Sequence, residues 1–326
     1  MRPYITLTLG CLLYWLSTSC ISQTDSVEGF ALAHGYQKVP LRKASTGHDL
    51  VTATINGVEG SFVLDTGAVT IINLPLEPKY RLSKDTMVKT MEAAGAAGHI
   101  NISIHRIDAL TINGVQSLIT QLGSSDLNAV LNGLYNSTGH RLDGIIGQDL
   151  LMKSQAIIDV GKQHLYLHNT GQTGSTGLYQ LMGNLGFTKF TLQPIKLNDF
   201  DLTLMTVTAK INGTQLSLIL DSGAGTSMLS NTSLEKLKLS DAQPLANFNT
   251  TGAGGAVNIN TYLIKRFELN NIKLNKSSIA STNLSAVVDF IEKHTGKKVG
   301  GILGQDVLTQ SKAVIDLANS QLYLKI

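Results

Sequence analysis

The sequence predicts a mainly β protein of two homologous lobes, related by a pseudo-two-fold axis and carrying short helices. Three observations point there. An internal repeat spans most of the chain, each repeat opens with the same strand–turn–strand unit, and only 15% of residues are charged while 43% are hydrophobic. A charged fraction so far below the usual ~25% suits sheet more than helix. A length of 326 residues accommodates two ordinary domains, each large enough to bury a core.

The repeat sets the organisation. Ile55-Asn56-Gly57 returns as Ile211-Asn212-Gly213, and Leu64-Asp65-Thr66-Gly67-Ala68 as Leu220-Asp221-Ser222-Gly223-Ala224, both at an offset of 156. Gly144-Ile145-Ile146-Gly147-Gln148-Asp149 returns as Gly301-Ile302-Leu303-Gly304-Gln305-Asp306 at an offset of 157, as do Ile158-Asp159 and Leu165-Tyr166-Leu167. A drift of one residue over half the chain means one shared architecture with a single loop change. The period is far too long for a solenoid, so the repeats are lobes. Lobe one is expected over 36–168 and lobe two over 187–326, with the Gly-, Ser- and Thr-rich stretch 169–186 as linker.

Residues 1–20 read as an address. Arg2 gives a positive start, 4–16 is apolar but short for a membrane span, and Ser17-Thr18-Ser19 offers small residues for cleavage. Three alternatives stay open: a plain signal peptide, a lipoprotein signal cut after Ser19 that leaves Cys20 as a lipid anchor, or a retained membrane anchor. The expected location is outside the cytoplasm: periplasmic or membrane-attached if the source is bacterial, otherwise the secretory pathway. Both cysteines, Cys11 and Cys20, lie in this segment, so the remainder must be held together by packing alone.

Within each lobe the pattern is that of sheet. Residues 50–55, the Asn56-Gly57 turn and 60–64 form a hairpin whose turn favours φ > 0 at both central positions, and 205–211, Asn212-Gly213 and 216–220 repeat it. Met91 to Asn101 and Asn249 to Asn260 occupy equivalent places and are rich in small residues; Gly95 and Gly98, and Gly252, Gly254 and Gly255, suit the tips of mobile hairpins over an extended ligand. A helix is expected over 125–135, where Leu127, Val130, Leu131 and Leu134 recur at helical spacing, and Leu284, Val287, Val288 and Ile291 repeat the stripe. Shorter helices should follow Gly147 and Gly304. Asp149, Asp306, Asp159 and Asp316 fit capping and turn roles, and His99 and His105 fit hairpin or surface positions.

The chemistry-bearing residues end the second strand of each hairpin. Asp65-Thr66-Gly67 and Asp221-Ser222-Gly223 each follow three apolar residues. A carboxylate there is costly to bury unless hydrogen bonds surround it. One such triplet would arise by chance in roughly one chain in ten of this size; two at equivalent repeat positions would not. Other classes fall away. The 26 basic and 23 acidic residues are scattered, with no basic tract for nucleic acid. No His-Glu-x-x-His occurs, and Gly252-Ala253-Gly254-Gly255 fails as a dinucleotide fingerprint because Val257 stands where its third glycine belongs. No cofactor or metal is expected.

Together these motifs resemble aspartic proteases of the retropepsin-like and pepsin-like type, in a bacterial-type single-chain form. The resemblance rests on the two apolar-apolar-Asp-Thr/Ser-Gly-Ala segments, the glycine-rich segments about thirty residues later, and the apolar-apolar-Gly of 145–147 and 302–304 opening a short helix. It covers nearly all of both repeats. It implies the acid-protease fold, two β-barrel lobes with Asp65 and Asp221 meeting as the catalytic dyad. Thr66 and Ser222 would brace the two turns, and Gly67 and Gly223 would admit stabilising amides. The implied activity is endopeptidase action on polypeptides, with a water activated between two carboxyls that share one proton. One departure is Gln148 and Gln305, where viral members usually carry an Arg that anchors an intersubunit network. Another is Ala68 and Ala224, where pepsin-like members carry a hydroxyl; its absence predicts a raised dyad pKa and a weakly acidic optimum. A monomer is expected over a homodimer. The alternative function is a peptide-binding or scaffold protein that keeps the fold without catalysis.

Overall fold

The computed structural model describes residues 25–168, 177–239 and 242–326. The segment 1–20, including Cys20, and the first part of the expected linker, 169–176, lie outside the described residues. No helix among the described residues is long and apolar enough to cross a membrane.

Each lobe is a ten-stranded sheet with the same strand order. In lobe one the order is Met87–Gly95, Gly98–Arg106, Gln121–Ser125, Ile71–Asn73, Gly144–Gly147, Val58–Asp65, Asp49–Ile55, Leu110–Ile112 and Val115–Gln116, with Arg42–Lys43 paired to the Asp49–Ile55 strand. The hairpin turns are as expected, with Asn56 at φ 49° and Gly57 at 82°, Asn212 at 48° and Gly213 at 91°. These asparagines do more than turn the chain. The Asn56 side chain accepts from the amide of Asp108 and donates to the carbonyl of Tyr80, and that of Asn212 accepts from the amides of Lys265 and Arg266.

A third, six-stranded sheet joins the lobes, in the order Gln37–Pro40, His164–Leu167, Ile157–Asp159, Val314–Asp316, Gln321–Leu324 and Thr188–Thr191. Its centre is the antiparallel pairing of Ile158 with Ile315, equivalent residues of the two repeats, so the pseudo-two-fold axis passes between them. A hydrophobic core cluster with members from both lobes, including Leu64, Leu150, Leu220 and Leu308, packs against this sheet.

Two expectations need correction. The second half of the expected linker is ordered: Leu178–Asn184 is a helix. Leu178, Leu181, Met182 and Leu185 recur at i, i+3, i+4, i+7, a helical face that the Gly-Ser-Thr composition just before it hides. That face packs with a second helix, Val27–Ala33, against Tyr166 and Tyr323 of the six-stranded sheet. The helix expected over 125–135 runs instead over Asn128–Thr138, because Ser125 is the last residue of a strand paired in parallel with Ile71–Asn73. His105 lies on the expected hairpin, in the strand Gly98–Arg106, and is 2% exposed. Its ring contacts Glu77, Ser124 and Thr86, which satisfies both nitrogens. His99 stays exposed on its hairpin beside Glu92.

Candidate active site

The strand Val58–Asp65 pairs in parallel with Gly144–Gly147, and Thr214–Leu220 with Gly301–Leu303. These pairings deliver Asp65 and Asp221 to the face between the lobes. Gly144 and Gly301 allow the approach, since a Cβ on either would lie within 2.2 Å of the neighbouring carbonyls of Ile71 and Met228. The two carboxyls come within hydrogen-bonding reach of each other. Each loop also lies on the opposite carboxyl: a Cβ on Gly67 would sit 2.7 Å from Asp221 Cγ, and one on Gly223 2.2 Å from Asp65 Oδ2. Any side chain at either glycine would force the lobes apart.

Thr66 and Ser222, both fully buried, bind the loops together reciprocally. Thr66 Oγ1 donates to the Leu220 carbonyl at 2.9 Å and accepts from the Ser222 amide at 3.0 Å. Ser222 Oγ donates to the Leu64 carbonyl at 2.9 Å and accepts from the Thr66 amide at 3.1 Å. Within each loop the glycine amide donates to its own aspartate, Gly67 to Asp65 at 2.7 Å and Gly223 to Asp221 at 2.8 Å. Burial raises the Asp65 carboxyl above the ordinary carboxylate value, opposed by the Gly67 amide. Asp221 is raised further, by burial first and then by the charge of Asp65 beside it. Burial and the charge of the neighbouring carboxyl thus both favour a proton on the pair.

Behind the loops, the helices Gln148–Lys153 and Gln305–Gln310 start where sequence placed them. Asp149 accepts from both the amide and hydroxyl of Thr70, and Asp306 from those of Ser227. The capping role expected for these aspartates is not what they perform, since the N-caps are Gly147 and Gly304; each instead fixes the chain just after its candidate carboxylate. Thr70 and Ser227 differ by 157 while Ala68 and Ala224 differ by 156, so the extra residue of the second repeat lies in this loop, at Gly225.

The repeats also diverge at the glutamines. Gln305 donates to Asp49 Oδ2 at 3.0 Å and to the Ser222 carbonyl at 3.1 Å, and Asp49, fully buried, is paired with Lys43 at 2.7 Å. These contacts form a polar network that crosses from one lobe to the other. The counterpart of Asp49 is Met205, and Gln148, fully buried, has neither amide atom hydrogen-bonded. Sequence reasoning marked the glutamines but missed Asp49, Lys43 and His48, none of which has a polar partner in the repeat.

The glycine-rich hairpins, Met87–Gly95 with Gly98–Arg106 and Ala246–Gly252 with Gly255–Leu263, meet tip to tip over the loops. The Ala97 amide donates to the Ala253 carbonyl at 3.0 Å. Gly95, Gly98, Gly252, Gly254 and Gly255 all sit at these tips, and a Cβ on Gly95 would fall 2.3 Å from the Ala253 oxygen. Among the described residues, no group of three or more His, Cys, Asp or Glu side chains is arranged to hold a metal ion.

With that geometry in place, the sequence model of the aspartyl protease family matches residues 51–150 and again 207–307, once per lobe and over more than half of the chain. The chain belongs to the aspartyl protease family. The protease family implies polypeptide substrates. Among solved structures this aspartyl protease is similar to an aspartic proteinase from Irpex lacteus, at 12% identity and a TM-score of 0.47, over 89% of this chain and 96% of that one. It is also similar to a retropepsin-like aspartic protease from Rickettsia conorii, at 17% identity and a TM-score of 0.29, over 43% of this chain and 98% of that one. No curated protein sequence matches.

Proposed function

We propose that this aspartyl protease is an endopeptidase that hydrolyses extended polypeptides with a water held between Asp65 and Asp221. The observation that carries the reading is the reciprocal brace of Thr66 and Ser222, which sets two like-charged groups against each other inside one chain. Buried carboxyls at that separation are costly to maintain without a use. In the proposed reaction the ionised carboxylate takes a proton from the water as its oxygen bonds to the peptide carbonyl carbon. The protonated carboxyl gives its proton to the carbonyl oxygen, forming a neutral gem-diol. On collapse the C–N bond breaks, the amine nitrogen takes a proton from the dyad, and a gem-diol hydroxyl returns one, restoring the single-proton state. Clefts of about 270 and 290 Å³ lie beside the flap tips and the lobe junction, and neither is lined by Asp65 or Asp221. A weakly acidic optimum is the corollary of the raised carboxyls, with burial as the main cause and the missing hydroxyls at Ala68 and Ala224 removing a counterweight.

The test is cleavage of a peptide library by the full chain across pH 3 to 8, read by mass spectrometry, beside Asp65→Asn and Asp221→Asn variants. Cleavage lost in both variants supports one shared dyad. Loss in only one sinks it, and a folded wild type that binds peptides at every pH without cutting them leaves a peptide-binding protein. A monomer is proposed because both halves of the site lie in one chain; light scattering after gel filtration checks it. Export is proposed on Arg2, the apolar run 4–16 and Ser17-Thr18-Ser19. Labelled fatty acid retained by the wild type and lost in Cys20→Ser would favour the anchored form.

A further inference from the structure

The repeats are alike in the residues that hold the two aspartates and unlike in one neighbour. His48, at the end of the loop before the Asp49–Ile55 strand, reaches across the lobe boundary, and its Nε2–H donates to the Gly223 carbonyl at 3.0 Å. The counterpart of His48 is Leu204, a buried aliphatic that offers no such bond to the Gly67 loop. The extra residue of the second repeat is where this ring lies: a Cβ on Gly225 would meet His48 Cε1 at 3.5 Å. The longer loop therefore makes room for an imidazole on one side of the axis only.

The bonding of the ring allows it to carry charge. A carbonyl can only accept, so Nε2 always bears a proton. Nδ1 lies 2.8 Å from Thr46 Oγ1, and a hydroxyl can donate to a neutral Nδ1 or accept from a protonated one. His48 thus changes charge without losing a hydrogen bond. The residue it grips, Gly223, is the one whose Cα side lies on the Asp65 carboxyl.

Building on the protease reading above, we propose that His48 is a positioning residue that makes the dyad unequal, holding Asp65 as the ionised member and leaving the shared proton on Asp221. The charged groups facing the ring are Asp65 across the boundary, and Asp49 and Lys43 from its own hairpin, with burial disfavouring its charged form. Asp65 and Asp49 favour the imidazolium and Lys43 opposes it. Burial lowers the ring's own pKa from the usual imidazole value, and wherever the ring is protonated its charge favours the ionised form of Asp65, so Asp65 keeps its charge to lower pH than an isolated pair would.

The experiment titrates the full chain labelled with ¹³C at the aspartate carboxyls, in the wild type, His48→Leu and His48→Gln, and records the pH profile of kcat/KM in parallel. His48→Leu copies the other lobe, and His48→Gln keeps a donor for the Gly223 carbonyl without the charge. The lower titration step of the dyad and the acid limb of kcat/KM should both move up by about half a unit or more in each variant. A merely structural role would lower the rate in His48→Leu, be rescued in His48→Gln and move neither limb nor titration step; that result overturns the proposal. The carboxyl titration does not depend on turnover. A wild type that cuts nothing but shows the shifted step would retain the unequal dyad and discard the protease reading.

Discussion

Thr66→Val removes one hydroxyl with almost no change of shape, and the contacts of that hydroxyl set the expected cost. Oγ1 serves two groups in the opposite lobe, the Leu220 carbonyl at 2.9 Å and the Ser222 amide at 3.0 Å. Thr66 and Ser222 are both fully buried, so water cannot replace the lost partner. Each buried polar group left unpaired costs about 1–3 kcal/mol, giving a loss of about 2–6 kcal/mol before relaxation and roughly 3 kcal/mol as the working expectation. That is a large share of a domain stability that is usually about 5–15 kcal/mol. Thr66→Ser is the control, because it keeps both hydrogen bonds and gives up one methyl, worth about 1 kcal/mol. Ser222→Ala should cost about as much as Thr66→Val, since it strands the Leu64 carbonyl and Thr66 amide in the mirror arrangement. The assay is urea unfolding followed by far-ultraviolet circular dichroism, as the only tryptophan, Trp15, lies in the N-terminal segment. A Thr66→Val midpoint within 0.5 kcal/mol of wild type by this scale, or no lower than that of Thr66→Ser, would refute the claim that these hydroxyls hold the lobes together.

Three further outcomes follow from the same contacts. Asp221 is raised from an ordinary value of 3.8, so the folded state binds the extra proton. The associated stability is full below that value and is lost as pH rises through the raised one. Asp221→Asn should therefore match wild type in acid and exceed it near neutrality; melting temperatures at pH 4 to 8 that stay parallel would contradict this. Gln148→Met should stabilise by about 1–3 kcal/mol because it replaces an unpaired buried amide, whereas Gln305→Met should destabilise by a similar amount because Asp49 and the Ser222 carbonyl lose their donor; equal effects in urea would sink the distinction. Gly95→Ala must push the flap tips apart at the Ala253 carbonyl, and hydrogen exchange at the Ala97 amide should quicken several-fold while the six-stranded sheet stays protected.

What was legible in the sequence was whatever the two repeats share. The hairpins announced themselves through Asn56-Gly57 and Asn212-Gly213, the candidate carboxylates through their equal offset, and the short helices through Gly147 and Gly304. Those features are local, set by turn chemistry and strand periodicity. The face of the pair was not local. Nothing in one strand says that Gly67 will rest on Asp221, or that Ile158 will lie opposite Ile315; both are consequences of closing two sheets about an axis. The helix Leu178–Asn184 was hidden because composition was read across a boundary that its apolar spacing contradicts. The enclosure of His105 was not legible because one histidine on a hairpin strand gives no sign that Glu77, Ser124 and Thr86 will surround it.

Three of the places where the repeats differ lie on one surface. Asp49 stands opposite Met205, His48 opposite Leu204, and the added Gly225 opposite no residue, and all of these flank the loop of Ser222 and Gly223. A symmetric pair of carboxyls solves only half of the chemical problem. Symmetry brings the groups together and forces one proton on them, but a water can be deprotonated by one carboxyl and its target protonated by the other only if the two differ at the moment of attack. In a dimer of identical chains the difference must come from the substrate. In a single chain it can be built in, and the one-residue drift between the repeats, which first looked like an unimportant loop change, is where this chain has the space to build it.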